Sequence, residues 1–293
     1  MDPDRVVRGH LEEEGPAMTT WLITGCSTGL GRALATAVLA HGDRAVVTAR
    51  DVDSVRDITE AHPDAALALA LDVTDDAQVA AAVAAAEERF GGVDVLVNNA
   101  GYGYRAAVEE GEEAAVQQLF DTHLFGTVRT IKAVLPGMRE RRSGTIVNLS
   151  SIGARISPEG SGYYAAVKAA IEALTESLRK EVAPLGIRAF SVEPGGFRTD
   201  FTGRSLKQST VAIDDYASTA GQRRKENDHS HGTQPGDPAK AALAIFAALE
   251  AAESPELLVL GTDANEAFRS TLESQLASLE AWSAIGEGTD IDD

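Results

Sequence analysis

The hydrophobic pattern along the chain alternates between short β-branched or apolar runs and longer alanine-rich stretches with a helical period. Such alternation predicts parallel strands joined by right-handed helical crossovers. The pattern therefore predicts an α/β protein with a single doubly wound parallel sheet of about seven strands and helices on both faces. The predicted strands are residues 19–24, 45–49, 66–71, 93–98, 145–150, 188–192 and 256–260.

Two helix starts are marked by capping residues. Asp75 lies three residues before Gln78, and Asp237 precedes Pro238 at a first helical position. Residues 197–236 break the pattern, because they are rich in Gly, Ser, Thr and charge. This segment is too long for an ordinary connection and is predicted to be either functional or disordered.

The two ends of the chain differ from the middle. Residues 1–17 have five acids, two bases and no apolar stretch, so they are predicted to be a disordered lead, not a signal peptide. Met18 is a second possible start, which leaves open whether this lead is native. Residues 284–293 form a predicted acidic tail. One catalytic domain is therefore expected over residues 18–283.

Charge and composition narrow the function classes. The chain is 44% hydrophobic and carries 45 acidic against 26 basic residues, a net charge of −19. Such a chain repels polyphosphate, so neither nucleic acid nor an anionic membrane is expected as a partner. No run approaches the length of a membrane span. A single cysteine, Cys26, excludes a disulfide framework and fits a reducing compartment, so a cytoplasmic location is expected.

A glycine-rich turn follows the first predicted strand, with the sequence TGCSTGLG at residues 24–31. Glycines let the backbone turn tightly and let a pyrophosphate approach a helix N-terminus, where unpaired N–H groups favour anions. A turn without ligand is the alternative, but the position on the first βα unit favours a dinucleotide site. The predicted contacts are Gly25, Ser27, Thr28, Gly29, Leu30 and Gly31.

The spacing Thr-Gly-x-x-x-Gly-x-Gly resembles that of the short-chain dehydrogenase/reductase family. Further motifs follow in the family's order: NNAG at residues 98–101, SS at 150–151, YAAVK at 164–168 and PGGFRT at 194–199. Together they cover about residues 19–260. The resemblance implies a Rossmann-fold oxidoreductase that transfers hydride between a nicotinamide nucleotide and a carbonyl or alcohol.

Three residues carry the implied chemistry. Tyr164 and Lys168 are four apart and share one face of a helix. By resemblance, Tyr164 donates a proton to the carbonyl oxygen, while Lys168 binds the cofactor ribose and lowers the tyrosine pKa. Ser151, 13 residues before Tyr164, is expected to hydrogen-bond the substrate oxygen. Its neighbour Ser150 is assigned to closing the strand end.

His123 departs from the family pattern, which usually has an asparagine that holds a water of the proton relay. A neutral imidazole offers one donor and one acceptor, so it can replace the amide imperfectly and titrates near neutrality. His123 is therefore predicted to tune catalysis. The alternative is a buried, hydrogen-bonded helix histidine with no part in the reaction.

Cofactor choice depends on the end of the second strand. Ala49 stands where the family's NAD-preferring members have an aspartate, and Arg50 could pair with a 2′-phosphate. NADP(H) is therefore favoured. NAD(H) stays possible, because Asp51 and Asp53 would repel the phosphate. In addition, Thr28 stands just before the second motif glycine, where the family's NADP-dependent members have a basic residue. The resemblance assigns further cofactor contacts to Asp72 and Val73 at the adenine, Asn99 at the ribose, Thr199 at the nicotinamide amide, and Pro194 and Gly195.

The segment after Thr199 matches the family's substrate loop. Residues 197–225 carry six bases against three acids, which either guide an anionic ligand or keep the loop solvated. His229 and His231 lack an organised third ligand, so no metal is predicted. Apolar walls for a medium-sized hydrophobic substrate are expected from Tyr102, Tyr104, Ile156, Phe197 and Phe201.

The sequence thus favours an NADP(H)-dependent ketoreductase or alcohol dehydrogenase acting on a small molecule. An NAD-dependent dehydrogenase is the first alternative, and a cofactor-sensing or scaffold protein with little turnover is the second, for which His123 is the only support. In the family, helices beginning near Glu112 and Gly162 pack across subunit interfaces, so a homodimer or homotetramer is expected.

Overall fold

The computed structural model of the chain describes residues 18–230 and 232–291. The predicted lead at residues 1–17 lies outside the described residues, as does His231, and the side chain of His229 is not described either. No helix in the described part is both long enough and apolar enough to cross a membrane.

Seven parallel strands form the central sheet, in the order β3-β2-β1-β4-β6-β7-β9. The order reverses between β1 and β4, which opens a crevice at the carboxyl ends of these strands. A separate two-stranded parallel sheet joins β5 to β8. The strands are β1 Thr20–Ile23, β2 Arg44–Ala49, β3 Ala66–Ala70, β4 Val95–Asn98, β5 Gly103–Arg105, β6 Gly144–Leu149, β7 Ile187–Pro194, β8 Leu206–Gln208 and β9 Leu257–Leu260.

Helices connect the strands and cover both faces of the sheet. Asp75 and Asp237 accept the first backbone N–H groups of the helices that follow them, which confirms both predicted caps. The helices are α1 Gly29–His41, α2 Arg56–Glu60, α3 Asp76–Phe90, α4 Glu113–Phe120, α5 Gly126–Arg141, α6 Gly153–Ile156, α7 Gly162–Val182, α8 Ala220–Ser230, α9 Pro238–Glu250 and α10 Thr262–Glu287. A π-helical turn, Asp121–Phe125, lies between α4 and α5.

Two hydrophobic cores lie on opposite faces of the sheet. Alternate side chains of one strand point to opposite faces, so Ile23 packs with α1 and α9 while its neighbour Leu22 packs with α3, α5 and α7. Because both faces are covered, most strand residues are apolar on both sides of the sheet instead of alternating between apolar and polar. The predicted doubly wound sheet with helices on both faces is confirmed.

A line of buried polar side chains crosses the second core. Asn98 donates to Asn148 over 2.9 Å and accepts from Thr130 on α5 over 2.6 Å. Asn148 in turn donates to Thr175 on α7 over 2.8 Å. Each bond needs a fixed register, so this line holds two helices against β4 and β6 in one arrangement.

Three features differ from the sequence expectation. The strands β5 and β8 were not predicted, because three residues are too few to show a period. The predicted loop at residues 197–236 contains β8 and α8. The predicted tail boundary at residue 284 falls inside α10, whose exposed Leu272, Leu276 and Leu279 extend the helical pattern.

We predict that Asn148→Ala lowers the free energy of unfolding by about 2–4 kcal/mol, because it leaves the Asn98 amide and the Thr175 hydroxyl without their partner and opens a cavity. Urea unfolding measures this loss. Asn265→Ala is the matched control, since the Asn265 amide bonds Gly261 O at an exposed position. Equal stability of the two variants would contradict the prediction.

Candidate active site

The cleft at the carboxyl ends of the strands has a volume of about 470 Å³. The loops after β1, β2, β3, β4, β6 and β7 all contribute to its walls. The structure places the predicted site residues together there, with two exceptions, Gly31 and Tyr104. The predicted residues that line the cleft are Gly25, Ser27, Thr28, Gly29, Leu30, Arg50, Asp72, Val73, Asn99, Tyr102, His123, Ser151, Ile156, Tyr164, Lys168, Pro194, Gly195, Phe197, Thr199 and Phe201.

The glycine loop ends in a helix start that is open to an anion. Gly25 and Gly29 have φ of +73° and +64°, in the left-handed region that favours glycine. Thr28 precedes α1 without a side-chain cap, and the first turn of α1 contains no acid. The first N–H groups of α1 are therefore available to a ligand such as a pyrophosphate.

Gly31 lies beneath this loop instead of on the cleft wall. A Cβ atom built on Gly31 would stand 2.4 Å from Asn99 Nδ2 and 2.6 Å from Gly25 O. The absence of a side chain lets the loops after β1 and β4 approach closely. Gly31 therefore shapes the site by packing, while its predicted cofactor contact stays a prediction.

Asn99 joins the same two loops. Its side-chain amide donates to Thr24 O over 2.8 Å and to Gly25 O over 2.9 Å. The Thr24 hydroxyl accepts from the backbone N–H groups of Asn99 and Ala100. Asn99 thus faces the cleft, as predicted for a residue that borders the ribose, and also fixes the glycine loop.

Two of the catalytic candidates, Tyr164 and Lys168, lie one helical turn apart near the start of α7. Ser151 follows β6, and its Oγ accepts from the backbone N–H of Gly153 over 3.0 Å. Ser151 Oγ and Tyr164 Cε1 lie 3.3 and 3.5 Å from a Cβ atom built on Gly153, so the two side chains are neighbours. Lys168 Nζ donates to Leu149 O over 2.6 Å and lies 5.8 Å from the centre of the Tyr164 ring. The fold therefore brings the three predicted residues into one cluster.

Burial sets the protonation of this cluster. Burial raises the pKa of Tyr164 to about 12, although the Ser151 hydrogen bond and the charge of Arg105 oppose the change. The phenol is therefore protonated at neutral pH. Burial also lowers the pKa of Lys168 to about 7, against the opposing charge of Glu172. The cation that influences the Tyr164 pKa in this structure is Arg105, whereas the sequence suggested Lys168.

His123 is buried in the π-helical turn. Its Nε2 lies 2.8 Å from Tyr102 O and 3.0 Å from Tyr102 N, and its ring contacts the Tyr164 ring edge-on. Burial, followed by the charge of Lys168, holds the pKa of His123 well below its ordinary value. The imidazole is therefore neutral around pH 7, which corrects the expectation that it titrates near neutrality.

The substrate end of the cleft has apolar walls. Phe201 packs against Tyr164 with ring centres 5.8 Å apart. Tyr104, which was expected on this wall, is 1% exposed and packs in a small core with Leu119 and Val167. β5 turns this side chain inward because neighbouring residues of a strand point to opposite sides. Tyr104 is therefore a core residue.

Ser150 has the structural role expected for it. Its hydroxyl donates to Glu172 Oε1 over 2.5 Å and lies 3.2 Å from Lys168 O. These bonds tie the end of β6 to α7. Ser150 thereby helps to position the turn that carries Lys168.

Four further basic residues line the cleft. They are Arg105, Arg204, Lys207 and Arg223. The base excess of residues 197–225 was a signal for the last three. Arg105 follows the NNAG motif but belongs to no sequence motif itself. The pairing of β5 with β8 brings it to the cleft.

Comparisons with known proteins agree on one family. A family model described as short chain dehydrogenase matches residues 19–210. The chain is 38% identical to oxidoreductase BOA17 of Botryotinia fuckeliana over 263 residues, which cover 89% of this chain and 96% of that protein.

Two solved structures extend the similarity to the fold. A short-chain dehydrogenase from Streptomyces avermitilis has a TM-score of 0.88 and 44% identity, over 94% of this chain and 100% of that one. A 3-ketoacyl-(acyl-carrier-protein) reductase from Brucella melitensis, complexed with NADH, has a TM-score of 0.70 and 26% identity, over 83% and 96% of the two chains.

We predict that the His123 ring does not titrate between pH 6 and 8, since its pKa lies below the ordinary value of 6.5 and the neutral form prevails above it. Proton NMR of the histidine rings tests this, with His123→Asn identifying the signal. The pH profile of any turnover should be the same in both proteins. A His123 signal with a midpoint inside that window would contradict the prediction.

Proposed function

The chain belongs to the short-chain dehydrogenase family and is an NAD(P)-dependent oxidoreductase; on this premise we propose that it uses NADP(H) to interconvert a carbonyl and a secondary alcohol on a medium-sized, largely hydrophobic molecule. The observation that carries this proposal is the cluster of Ser151, Tyr164 and Lys168 on one cleft with an open helix N-terminus.

The residues on the cleft fit a nicotinamide dinucleotide. The uncapped start of α1 would hold the pyrophosphate, and Asp72 with Val73 would flank the adenine. Thr199 Cγ2 lies 3.6 Å from a Cβ built on Gly29, so the loop after β7 faces the glycine loop across the site. When bound, the nucleotide supplies or accepts the hydride.

Tyr164 is the proposed proton donor for carbonyl reduction. Its phenol is protonated at neutral pH, and its ring lies beside the Ser151 hydroxyl. Both hydroxyls can therefore reach one substrate oxygen, with Tyr164 transferring its proton as the oxygen gains negative charge. Burial of the phenol limits exchange of that proton with water. The complete cluster argues against a sensor without turnover.

Lys168 is the proposed holder of the ribose. Within the described residues, its only hydrogen-bond acceptor is Leu149 O. A charged ammonium has three donors, so two remain for ribose hydroxyls. Because burial lowers its pKa to about 7, a bound anionic nucleotide would favour the charged form.

Arg50 supports the preference for NADP(H). It follows β2 on the cleft, and the acids that were expected to repel a phosphate are engaged elsewhere. Arg56 pairs with Asp53, and Asp51 accepts the backbone N–H of Asp53. The Arg50 guanidinium has no such ion pair among the described residues, which leaves it available to a 2′-phosphate.

NAD(H) is the second candidate, because Thr28 offers no charge to a phosphate and the structural neighbour from Brucella melitensis is complexed with NADH.

We further propose a homodimer or homotetramer, supported by the exposed Leu272, Leu276, Leu279 and Trp282 of α10. The single free cysteine fits the proposed cytoplasmic location.

We predict that Tyr164→Phe reduces turnover about 100- to 10,000-fold, because the hydroxyl that supplies the transferable proton is removed. Ser151→Ala should cost less. Tyr163→Phe is the matched control, since Tyr163 precedes Tyr164 on α7 and its hydroxyl donates to Val108 O. Nucleotide consumption with a panel of ketones measures the effect, with nucleotide binding as the folding check. Retained activity in Tyr164→Phe would refute the assignment.

We predict that Arg50→Ala weakens NADPH binding about 10- to 100-fold and changes NADH binding little, because only NADPH has the 2′-phosphate. Arg56→Ala is the control, since this guanidinium pairs with Asp53. Fluorescence titration with both nucleotides gives the ratio. An equal loss for NADPH and NADH would remove Arg50 from this role and favour NAD(H).

A further inference from the structure

The charged residues on the cleft are almost all basic. Among the described lining residues Asp72 is the only acid, and it lies after β3 at the adenine end. Six bases share the lining, on a chain whose net charge is −19. At the substrate end these bases are Arg105, Arg204, Lys207 and Arg223. This local reversal of sign favours an anionic group on the ligand.

Arg105 differs from the other bases because it is buried without a partner. It is 8% exposed at the end of β5, and its guanidinium makes no hydrogen bond or ion pair with any residue that the structure describes. Its Nε is buried and unbonded. Burial lowers the pKa of Arg105, the charge of Arg223 lowers it further, and Tyr164 opposes both effects.

Two other partly buried arginines in the described chain pair with buried carboxylates. Arg224 pairs with Glu110 over 2.7 Å, and Arg155 pairs with Glu193 over 2.9 Å. At the cleft itself, Arg204 lies 3.3 Å from Asp200, and Lys207 lies 4.3 Å above the Tyr102 ring. An uncompensated buried guanidinium destabilises a fold, so an anionic group of a ligand beside Tyr164 would compensate the charge of Arg105.

We propose that the substrate of this enzyme carries a carboxylate that Arg105 binds beside Tyr164. The inference rests on the proposed function and narrows it to oxo acids and the corresponding hydroxy acids. The planar guanidinium can bind a carboxylate through two parallel hydrogen bonds. Tyr102, Ile156 and Phe201 hold the apolar body of the molecule between the carboxylate and the carbonyl.

The carboxylate is a spectator in the reaction. Hydride from the nucleotide and the proton from Tyr164 convert C=O into CH–OH, and the carboxylate leaves with its charge unchanged. Arg105 is therefore a specificity-determining residue. Its charge also lowers the Tyr164 pKa, so neutralisation by the bound carboxylate keeps the phenol protonated.

The test compares the 2-, 3- and 4-acetylbenzoates with their methyl esters, in which a methyl group replaces the negative charge of the carboxylate. With wild-type enzyme and NADPH or NADH, we expect kcat/KM of the best acid to exceed that of its ester about 10- to 100-fold. Arg105→Met should abolish this preference, so that the ratio of kcat/KM for acid and ester falls to about 1. Arg188→Met is the control, since the exposed Arg188 bonds Leu249 O and Ser254, away from the cleft.

A binding measurement separates this inference from the proposed function. Calorimetric titration of each acid and ester into the NADP⁺-bound Tyr164→Phe variant gives affinity without turnover, and Arg105→Met in that background should remove the preference for the acid. Arg105→Lys, which keeps the charge, should retain part of it. The melting temperature of Arg105→Met should equal or exceed that of the wild type, because an uncompensated buried charge is removed.

The outcomes are distinguishable. Absence of nucleotide consumption with every probe would refute the proposed function. The calorimetric titration would still show whether Arg105 binds the carboxylate. The carboxylate inference would be overturned if the esters were bound and reduced equally well as the acids. It would also be overturned if the preference for the acid survived in Arg105→Met. Either result would leave the oxidoreductase proposal standing. Loss of ester turnover together with a lower melting temperature would assign Arg105 a structural role and would also overturn it.

Discussion

The site depends on the contact between the loops after β1 and β4. Thr24 and Asn99 exchange four hydrogen bonds with the neighbouring backbone, and Gly31 lacks the Cβ that would force the loops apart. This contact lies where the strand order reverses, so it fixes the opening of the crevice. The positive φ of Gly25 and the uncapped start of α1 place unpaired N–H groups at the same edge.

Burial has opposite consequences for the groups around the reacting centre. It disfavours every charged form, so the pKa of Tyr164 rises while those of Lys168, His123 and Arg105 fall. The protein without ligand therefore holds a protonated phenol, a readily neutralised ammonium and a neutral imidazole. An anionic nucleotide and an anionic substrate would both act against this desolvation, which links cofactor binding and substrate selection to the same cluster.

Most of the architecture could be predicted from the sequence, for a definite physical reason. Strands buried on both faces are continuous apolar runs, and helix caps are local, so the seven strands and the caps at Asp75 and Asp237 were recognisable. The pair β5 and β8 was not, because three-residue strands have no period. Tyr104 was misplaced for the same reason, since without the strand its direction was unknown.

The sequence by itself determined the order of the strands along the chain, the glycine turn and the spacing of Tyr164 and Lys168, because these are set by neighbouring residues. Only the tertiary structure decided which charges meet. Arg105 and Tyr164 are distant in the sequence, and the effect of one on the pKa of the other exists because β5 is held against β8 beside α7. Burial of His123 was decided in the same way, since desolvation is a property of all the elements packed around a group and not of its neighbours in the chain.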